Sequence, residues 1–488
     1  AQGDVNIRGG IFEASGFRVG GATIFDPQTG HYATELPIAP EMLGESRVYT
    51  GVENALRGFN STAGTLTYGW SKILEGGSAT LGAGDHNLNF QRVRNAWVYP
   101  LDENAEWTLG YEAGLSRSES DGTVNFSDHD FDRSTGRVQL LGPSSQTDLF
   151  AGYQSKFFGQ YGMYTGDQYT AFNPYETENI KTRLFILNHE QAYQEGSAWE
   201  ATAYYRRNSD HYVFNRFAPN GNFVHETEVA SFSISGLHEF NEEVAFHYNL
   251  QVTADEIESS ALEQGNFTSR TFYKLSLLPE YRRDLNNRQS VVFKAGASFD
   301  DTNRNGSEFS PIAEVSFLTD EGGGASRSLY LSFAKTTQVV GYGAIGGSET
   351  SGLFRSNHDL LRETSRNVEI GYALDRLQWS LDSAVFYRWD DDLVDWTYTG
   401  AGARAAENMD VETFGLEIIA ARYWNRVEAI VSYSYLKKDE DYRNPGIIGS
   451  FYALNFPEHR ATMGLIYTPS ELFEVRIDNE WRDHRESS

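Results

Sequence analysis

From about residue 76 onward, apolar and polar side chains alternate in long runs. In residues 105–116, AEWTLGYEAGLS, the apolar side chains fall on one face, which holds Trp107, Leu109, Tyr111, Ala113 and Leu115. The pattern returns in WEATAYYRR (199–207), VVFKAGASFD (291–300) and VEAIVSYSYL (427–436). Strands of about ten residues that alternate in this way are typical of a transmembrane β-barrel, apolar outward and polar inward. A soluble sandwich has the same period, so the period alone does not decide.

The connections between these strands decide the matter, because short and long connections alternate almost strictly. The short ones are residues 101–104, 142–146, 194–197, 239–243, 284–289, 319–327, 374–376, 423–426 and 469–471. The long ones are residues 118–133, 158–180, 209–223, 255–268, 301–310, 336–363, 389–410 and 437–457, and only the first outer connection, near Asp85, is brief. Tight turns at one end and large loops at the other indicate an outer-membrane barrel with extracellular long loops.

Pairing these elements predicts about 19 strands within residues 76–488. An odd number leaves an open edge in the usual bacterial barrel, and plugged transporters have about 22 strands. We therefore expect the barrel domain, residues 76–488, to lack about three final strands. The chain begins at Ala1 without a signal peptide and ends within the polar run HRESS. From this we expect sequence to be missing on both sides.

Residues 1–75 have a different texture, with short apolar pieces between glycine turns. Glycine permits positive φ and close backbone approach, which a small domain enclosed by a barrel would need. We predict that residues 1–75 form a partial plug domain in the barrel lumen. An ordinary α+β domain is the alternative.

Composition removes several other classes of protein. The longest apolar runs fall far short of the roughly 18 residues of a membrane helix, and mean hydropathy is -0.50. Aromatic residues reach 14%, which suits interfacial girdles. A formal charge of -28 argues against nucleic acid and suggests divalent cations beside the polyanionic outer leaflet. The chain contains no cysteine, so disulfides and Cys-ligated metals are excluded.

Several motifs resemble those of the TonB-dependent outer-membrane receptors. Ile7-Arg8-Gly9 resembles the family's IRG element, and VGGATIFDPQTGH (19–31) is similar to its IDGVPxxDPQTGH segment. Residues 352–372, GLFRSNHDLLRETSRNVEIGY, resemble the family's GNPDLKPE barrel motif, and FYRWDDDLVDW (386–396) follows it as in the family. The plug motif RGPxSxLYGxxAxGG is matched only in its skeleton, because Thr50, Val52, Arg57 and Ala63 replace family residues.

The resemblance implies a monomer in the bacterial outer membrane, among lipid and lipopolysaccharide, that imports a scarce large solute such as a ferric siderophore, cobalamin or an oligosaccharide. It also implies a partner, TonB of the TonB–ExbB–ExbD complex, acting through an N-terminal box that would precede Ala1. A passive porin or a barrel-anchored surface adhesin is the alternative, and a plug of this size argues against a porin. Neither a GxSxG elbow nor a P-loop occurs, so we expect no enzyme and assign no catalytic residue.

Two stretches are candidate solute-binding segments. The resemblance places residues 25–32 at the plug apex, where Asp26, Gln28, Thr29, His31 and Tyr32 offer polar and aromatic groups. The aromatic loop 158–180, with Tyr161, Tyr164 and Tyr169, suits an apolar or planar solute. In both stretches, packing between loops and barrel wall is the structural alternative.

A third stretch, the loop SESDGTVNFSDHDFDRS (118–134), offers carboxylates at spacings that suit calcium. The candidate ligands are Asp121, Asp128, Asp130 and Asp132. A solvated acidic loop is the alternative and the better interpretation of the two. The eleven histidines show no paired ligand spacing, so no metal is assigned to them, and calcium is the only cofactor considered.

Overall fold

The computed structural model describes residues 3–166, 170–218, 221–263 and 268–484. This part of the chain is mostly β-structure, arranged as a small four-stranded sheet and a large closed barrel. The prediction of an all-β barrel protein is thereby confirmed. Within these ranges, no helix is both long enough and apolar enough to cross a membrane.

The small sheet lies in the first 70 residues, and we call residues 3–75 the plug. The strands are β1 Ser15–Val19, β2 Ala22–Ile24, β3 Leu43–Tyr49 and β4 Gly64–Trp70. They pair in the order β2-β1-β4-β3, with β1 and β4 parallel. A 3-10 turn at Phe12–Ala14 precedes β1, and a second one at Pro40–Met42 and helix α1 at Gly51–Arg57 lie between the strands.

The turn between β1 and β2 shows why this plug is rich in glycine. Gly20 has a positive φ of 56°, and the N–H of Gly21 donates to Asn188 Oδ1 on the barrel wall at 2.9 Å. A Cβ atom on Gly21 would lie 2.2 Å from Thr202 Oγ1. Only a residue without a side chain lets the plug backbone approach the wall this closely.

The barrel strands follow one another in antiparallel hairpins. A second short helix, α2 at Tyr342–Gly346, lies in the long connection formed by residues 339–353. The strands are β5 Gly76–Ala83, β6 Asn89–Pro100, β7 Thr108–Ser120, β8 His129–Gly142, β9 Ser145–Gly159, β10 Thr177–Gln194, β11 Ser197–Val213, β12 Asn222–Glu239, β13 Val244–Ser259, β14 Ser269–Asn286, β15 Gln289–Thr302, β16 Gly306–Gly322, β17 Ala325–Gln338, β18 Phe354–Arg355, β19 Glu363–Arg376, β20 Trp379–Tyr398, β21 Arg404–Trp424, β22 Val427–Asp441, β23 Gly449–Ser450, β24 Pro457–Ser470 and β25 Phe473–His484.

The two faces of the barrel have opposite polarity. On β7, Tyr111 and Leu115 are 39% and 64% exposed on the outer surface, whereas Glu112 points inward and is 2% exposed. On β11, Thr202 and Arg206 are likewise buried toward the lumen. An apolar outer face and a polar buried face are the reverse of a soluble sandwich. The structure therefore removes the ambiguity that the period of two had left.

The expectation that an odd number of strands leaves an open edge is wrong for this structure. Among the described residues, β18 and β23 are two-residue pieces and the other 19 of the 21 barrel strands are long. Strand β25 nevertheless neighbours β5, and the barrel is closed. The expectation that about three final strands are missing stays a prediction.

The strands are also longer than the ten residues predicted, reaching 21 residues in β21. About ten tilted residues suffice to cross the hydrocarbon core, so the remainder continues the sheet beyond it. Some connections predicted to be long are accordingly brief, such as residues 303–305 between β15 and β16. The connection between β17 and β19 remains long. It carries α2 onto the plug, where the N–H of Tyr342 donates to Pro27 O at 2.8 Å.

Candidate functional site

A cavity of about 940 Å³ lies above the plug, at the barrel end that carries the long loops. The plug contributes its floor, and strand ends and loops contribute its walls. The lining residues used below are Glu13, Gln28, Thr29, His31, Tyr32, Tyr164, Glu178, Asp210, Tyr212, Glu263, Ser351, Phe354, Trp396 and Tyr452. Four of the five predicted apex residues therefore line one cavity together with Tyr164.

Asp26, the fifth predicted apex residue, lies below the floor rather than on it. It is 3% exposed, and its carboxylate accepts hydrogen bonds from the backbone N–H groups of Gln28, Thr29 and Tyr32, each at 3.3 Å. An Asp-Pro turn commonly uses the Asp side chain in this way. The role of Asp26 is therefore to shape the apex loop, which differs from the direct solute contact expected from the sequence.

The apex loop is tied to strands β10 and β11 of the wall. Gln28 Nε2 donates to Asp210 Oδ2 at 2.8 Å, and the Tyr32 hydroxyl donates to Glu178. Burial raises the pKa of Tyr32 well above its ordinary value, and Asp210 and Glu178 add to the shift. The phenol therefore stays protonated and acts as a donor. Arg206 completes the attachment by donating to the carbonyl oxygens of Phe25, at 2.9 Å, and Tyr32.

His31 is held between the plug and a distant loop. Its ring stacks on Phe12 with centroids 3.9 Å apart, and its Nδ1 lies 3.1 Å from the carboxylate of Asp4. Its Nε2 lies 3.4 Å from the hydroxyl of Tyr452. Displacement of the imidazole by a solute would therefore disturb the plug's N-terminal segment and the loop after β23 together.

The three predicted loop tyrosines have different positions. Tyr164 lines the cavity, its ring packs edge-on against Phe354 at 5.6 Å, and its backbone oxygen accepts from Arg404 at 2.7 Å. Tyr161 lies off the cavity wall and packs on Phe172 with centroids 5.1 Å apart, because loop aromatics here pack on each other. Tyr169 lies outside the described residues.

Sequence reasoning missed the residues that come from far along the chain. Glu13, Phe354, Trp396 and Tyr452 reach the cavity from the plug, the β17–β19 connection, β20 and the loop after β23. Burial raises the pKa of Glu13 well above its ordinary value, and the nearby carboxylates of Asp395, Asp26 and Asp4 raise it further. The one local sign that Glu13 belongs to a site is that this carboxyl group stands within the apolar run IFEASG.

The plug is anchored beneath the cavity by a buried cluster of charges that we call the latch. Its centre is Arg8, whose Nη1 lies 2.5 Å from Glu369 Oε2 and whose Nη2 lies 2.9 Å from Glu417 Oε2. The guanidinium also faces the ring of Phe386 at 4.4 Å. Burial lowers the pKa of Arg8, but Glu417 and Glu369 outweigh it and raise the pKa above its ordinary value. Arg8 is therefore a permanent cation between two carboxylates.

The four candidate calcium ligands do not form a shared site. Asp128 pairs with Arg216 at 2.7 Å and Asp130 with Arg117 at 3.3 Å. Asp121 accepts from Asn87, and Asp132 is exposed on β8. In the part of the chain that the structure describes, no three His, Cys, Asp or Glu side chains are grouped to hold a metal. Calcium binding stays a prediction.

The family model described as TonB dependent receptor-like, beta-barrel, matches residues 44–484. No curated protein matches the chain.

Several solved structures share the fold. The siderophore receptor PirA from Pseudomonas aeruginosa is similar over 97% of this chain and 84% of its own, with a TM-score of 0.70 and 15% identity. The pyoverdine outer membrane receptor FpvA from Pseudomonas aeruginosa PAO1, bound to pyoverdine, is similar over 98% and 77%, with a TM-score of 0.70 and 14% identity. The copper transporter OprC is similar over 99% and 81%, with a TM-score of 0.72 and 14% identity. At identities this low, the likeness shows a shared fold alone.

Proposed function

The chain belongs to the TonB-dependent receptor family, and we propose that it imports a scarce, large solute with energy delivered by TonB. It is a β-barrel protein of the bacterial outer membrane, and its family consists of transporters and receptors rather than enzymes. The candidate solutes are a ferric siderophore, cobalamin or a metal chelate. The siderophore receptors and the copper transporter that share the fold support this range.

The observation that carries the proposal is that the plug lies inside the barrel and is bonded to the wall around much of the lumen. Hydrogen bonds or ion pairs join it to β8–β14 and β19–β22. The pairs include Ile38–Arg133, Glu35–Lys156, Gly21–Asn188, Arg18–Glu200, Gly21–Ser233, Thr23–Gln251, Gly58–Lys274, Arg8–Glu369, Arg8–Arg388, Arg8–Glu417 and Gly9–Lys438. A plug held by these contacts obstructs the lumen, which disfavours a passive porin.

The chemistry of this contact surface supports movement of the plug. Many of the contacts are hydrogen bonds and ion pairs, which water can replace when the plug leaves the wall, although apolar clusters such as that of Val19 and Ile24 with Leu184 also join the two. Each such replacement costs about 0.5–1.5 kcal/mol for a neutral hydrogen bond and more for a charged one. Their sum holds the plug closed without energy input, and a mechanical pull on the N-terminal side can break them one after another. TonB is the partner we propose for that pull.

The solute would act from the other side of the plug. A molecule in the cavity contacts the apex loop at His31 and Tyr32. Those two residues connect the cavity to Asp4 and to wall strand β10. Occupancy can therefore change how the N-terminal segment is held, which gives a physical route from solute binding to engagement of TonB.

The experiment compares growth on a limiting nutrient, iron, cobalamin or copper in turn, with and without the gene in strains with and without TonB. We expect the gene to support growth on one nutrient only where TonB is present. Equal benefit without TonB would contradict the proposal and favour a passive porin. No benefit on any nutrient, together with loss of surface attachment when the gene is deleted, would favour the adhesin.

A further inference from the structure

We infer that the cavity above the plug prefers a solute that carries net positive charge and an aromatic or other apolar face, and disfavours polyanionic chelates. The inference rests on the proposed function, because it takes this cavity as the solute site. It narrows the candidate solutes by charge, which the family and the shared fold leave open.

The first observation is the sign of the ionisable groups on the wall. Four carboxyl groups line the cavity, those of Glu13, Glu178, Asp210 and Glu263. None of the described lining residues is Lys or Arg. Residues 167–169, 219–220 and 264–267, which the structure does not describe, contain neither Lys nor Arg in the sequence. A polyanion would meet carboxyl groups here, with no Lys or Arg among the described lining residues to compensate its charge.

The second observation is that nearby arginines are already used by the protein. Arg206 and Arg404 are 1% and 0% exposed beneath the wall. Arg206 donates to the apex-loop carbonyl groups, and Arg404 donates to the Tyr398 hydroxyl at 2.5 Å and to Tyr164 O at 2.7 Å. Arg404 also lies 3.7 Å from the ring centroid of Phe451. If either guanidinium moved to reach an anionic solute, these contacts would break.

The third observation is the aromatic content of the wall. The rings of Tyr32, Tyr164, Tyr212, Phe354, Trp396 and Tyr452 line the same space as the carboxyl groups. Ring faces attract cations, and aromatic residues combined with carboxylates recognise organic cations. At about 940 Å³, the cavity lies near the upper end of ordinary small-molecule sites, which are about 300–1,000 Å³. It therefore has room for a multi-ring molecule.

The fourth observation is an unsatisfied hydrogen-bond acceptor at the floor. Gln28 Oε1 is buried and accepts no hydrogen bond within the described residues. Gln28 lines the cavity. A solute that brings a donor would satisfy this atom, either directly after a small shift or through water, whereas an anion brings further acceptors.

The test uses two fluorescent dyes with the same xanthene ring system and opposite charge, cationic rhodamine 6G and dianionic fluorescein. Fluorescence anisotropy of each dye is titrated with the purified, detergent-solubilised chain at neutral pH. We expect rhodamine 6G to bind at least about tenfold more tightly than fluorescein. We expect the variant Glu263→Gln, which removes an exposed carboxylate from the cavity wall, to reduce that preference several-fold.

Two further variants make the result specific. Glu195→Gln alters an exposed carboxylate in the turn between β10 and β11, at the opposite end of the barrel, and should leave both affinities unchanged. Ser351→Lys places a cation on an exposed lining position and should strengthen fluorescein binding relative to rhodamine 6G.

Fluorescein binding as tight as that of rhodamine 6G would overturn the inference. Saturable binding of neither dye, or an equal loss of preference in Glu195→Gln, would also overturn it. Because TonB takes no part in this binding, such a failure beside intact TonB-dependent growth would leave the proposed function standing. Loss of TonB dependence would instead overturn the importer itself.

Discussion

Replacing Arg8 by Met should release the plug from the latch. The change keeps an unbranched apolar stem but removes the guanidinium, and it leaves the carboxylate of Glu369, whose side chain is 4% exposed, without its cation. Removing one partner of a buried ion pair costs about 3–5 kcal/mol. Every 1.4 kcal/mol is about a factor of ten in an equilibrium constant, so the undocked fraction should rise roughly 100-fold or more.

The absence of native cysteine provides a direct assay. Ala14 is 2% exposed and packs in the cluster that contains Met409 and Val411 of the wall. A thiol introduced by Ala14→Cys reacts with a maleimide only when the plug undocks, and its rate follows the open fraction while reclosing outpaces the chemistry. We expect Arg8→Met to accelerate this labelling roughly 100-fold, as the coupling energy of the latch requires.

The matched control is Arg47→Met, which breaks a plug ion pair with Glu45 whose side chains are 66% and 78% exposed. Exposed pairs contribute little to stability, so labelling should stay at the rate of the chain that carries Ala14→Cys alone. If Arg8→Met and Arg47→Met label at the same rate, the latch does not hold the plug and the reasoning from burial is wrong.

Three further predictions concern the plug. Docking of the plug should weaken as pH rises above the ordinary carboxyl range, because docked Glu13, with its raised pKa, keeps a proton that the undocked form loses. In Glu13→Gln, the rate of thiol labelling should therefore depend less on pH. Asp26→Ala removes a carboxylate acceptor from three backbone N–H groups, each bond contributing about 1.5–3 kcal/mol; hydrogen exchange should quicken at residues 28, 29 and 32, and unchanged exchange would contradict the capping role. Gly21→Val should prevent docking, because its Cβ would lie 2.2 Å from Thr202 Oγ1; Thr202→Gly should partly restore slow labelling, and failure to do so would locate the clash elsewhere.

The sequence predicts the barrel well because a period of two reports directly on which face each side chain takes. Outward-facing apolar residues, such as Trp107 and Leu115, meet the same kind of environment in every hairpin. The local pattern therefore suffices to predict which way their side chains face. Closure of the barrel depends on how the first and last strands meet. These strands are far apart in the sequence, so a local pattern cannot predict it. Strand length was underestimated because pairing between β20 and β21 continues beyond the thickness of a membrane.

The candidate site was only partly predictable. Gln28, Thr29, His31 and Tyr32 were found because one continuous motif carries the apex loop. Tyr452 was missed because it meets His31 across 421 positions of sequence. The role of Asp26 differed because a turn-forming Asp and a solute-binding Asp look identical in a sequence. Hydrogen-bond geometry separates the two.

The central claim is that the plug closes the barrel, and ion conductance across a planar lipid bilayer tests it most directly. We predict that the whole chain shows no steady conductance, whereas the chain without residues 1–75 forms a stably open channel and Arg8→Met opens in occasional bursts. A steady conductance of the same size with and without residues 1–75 would contradict the account.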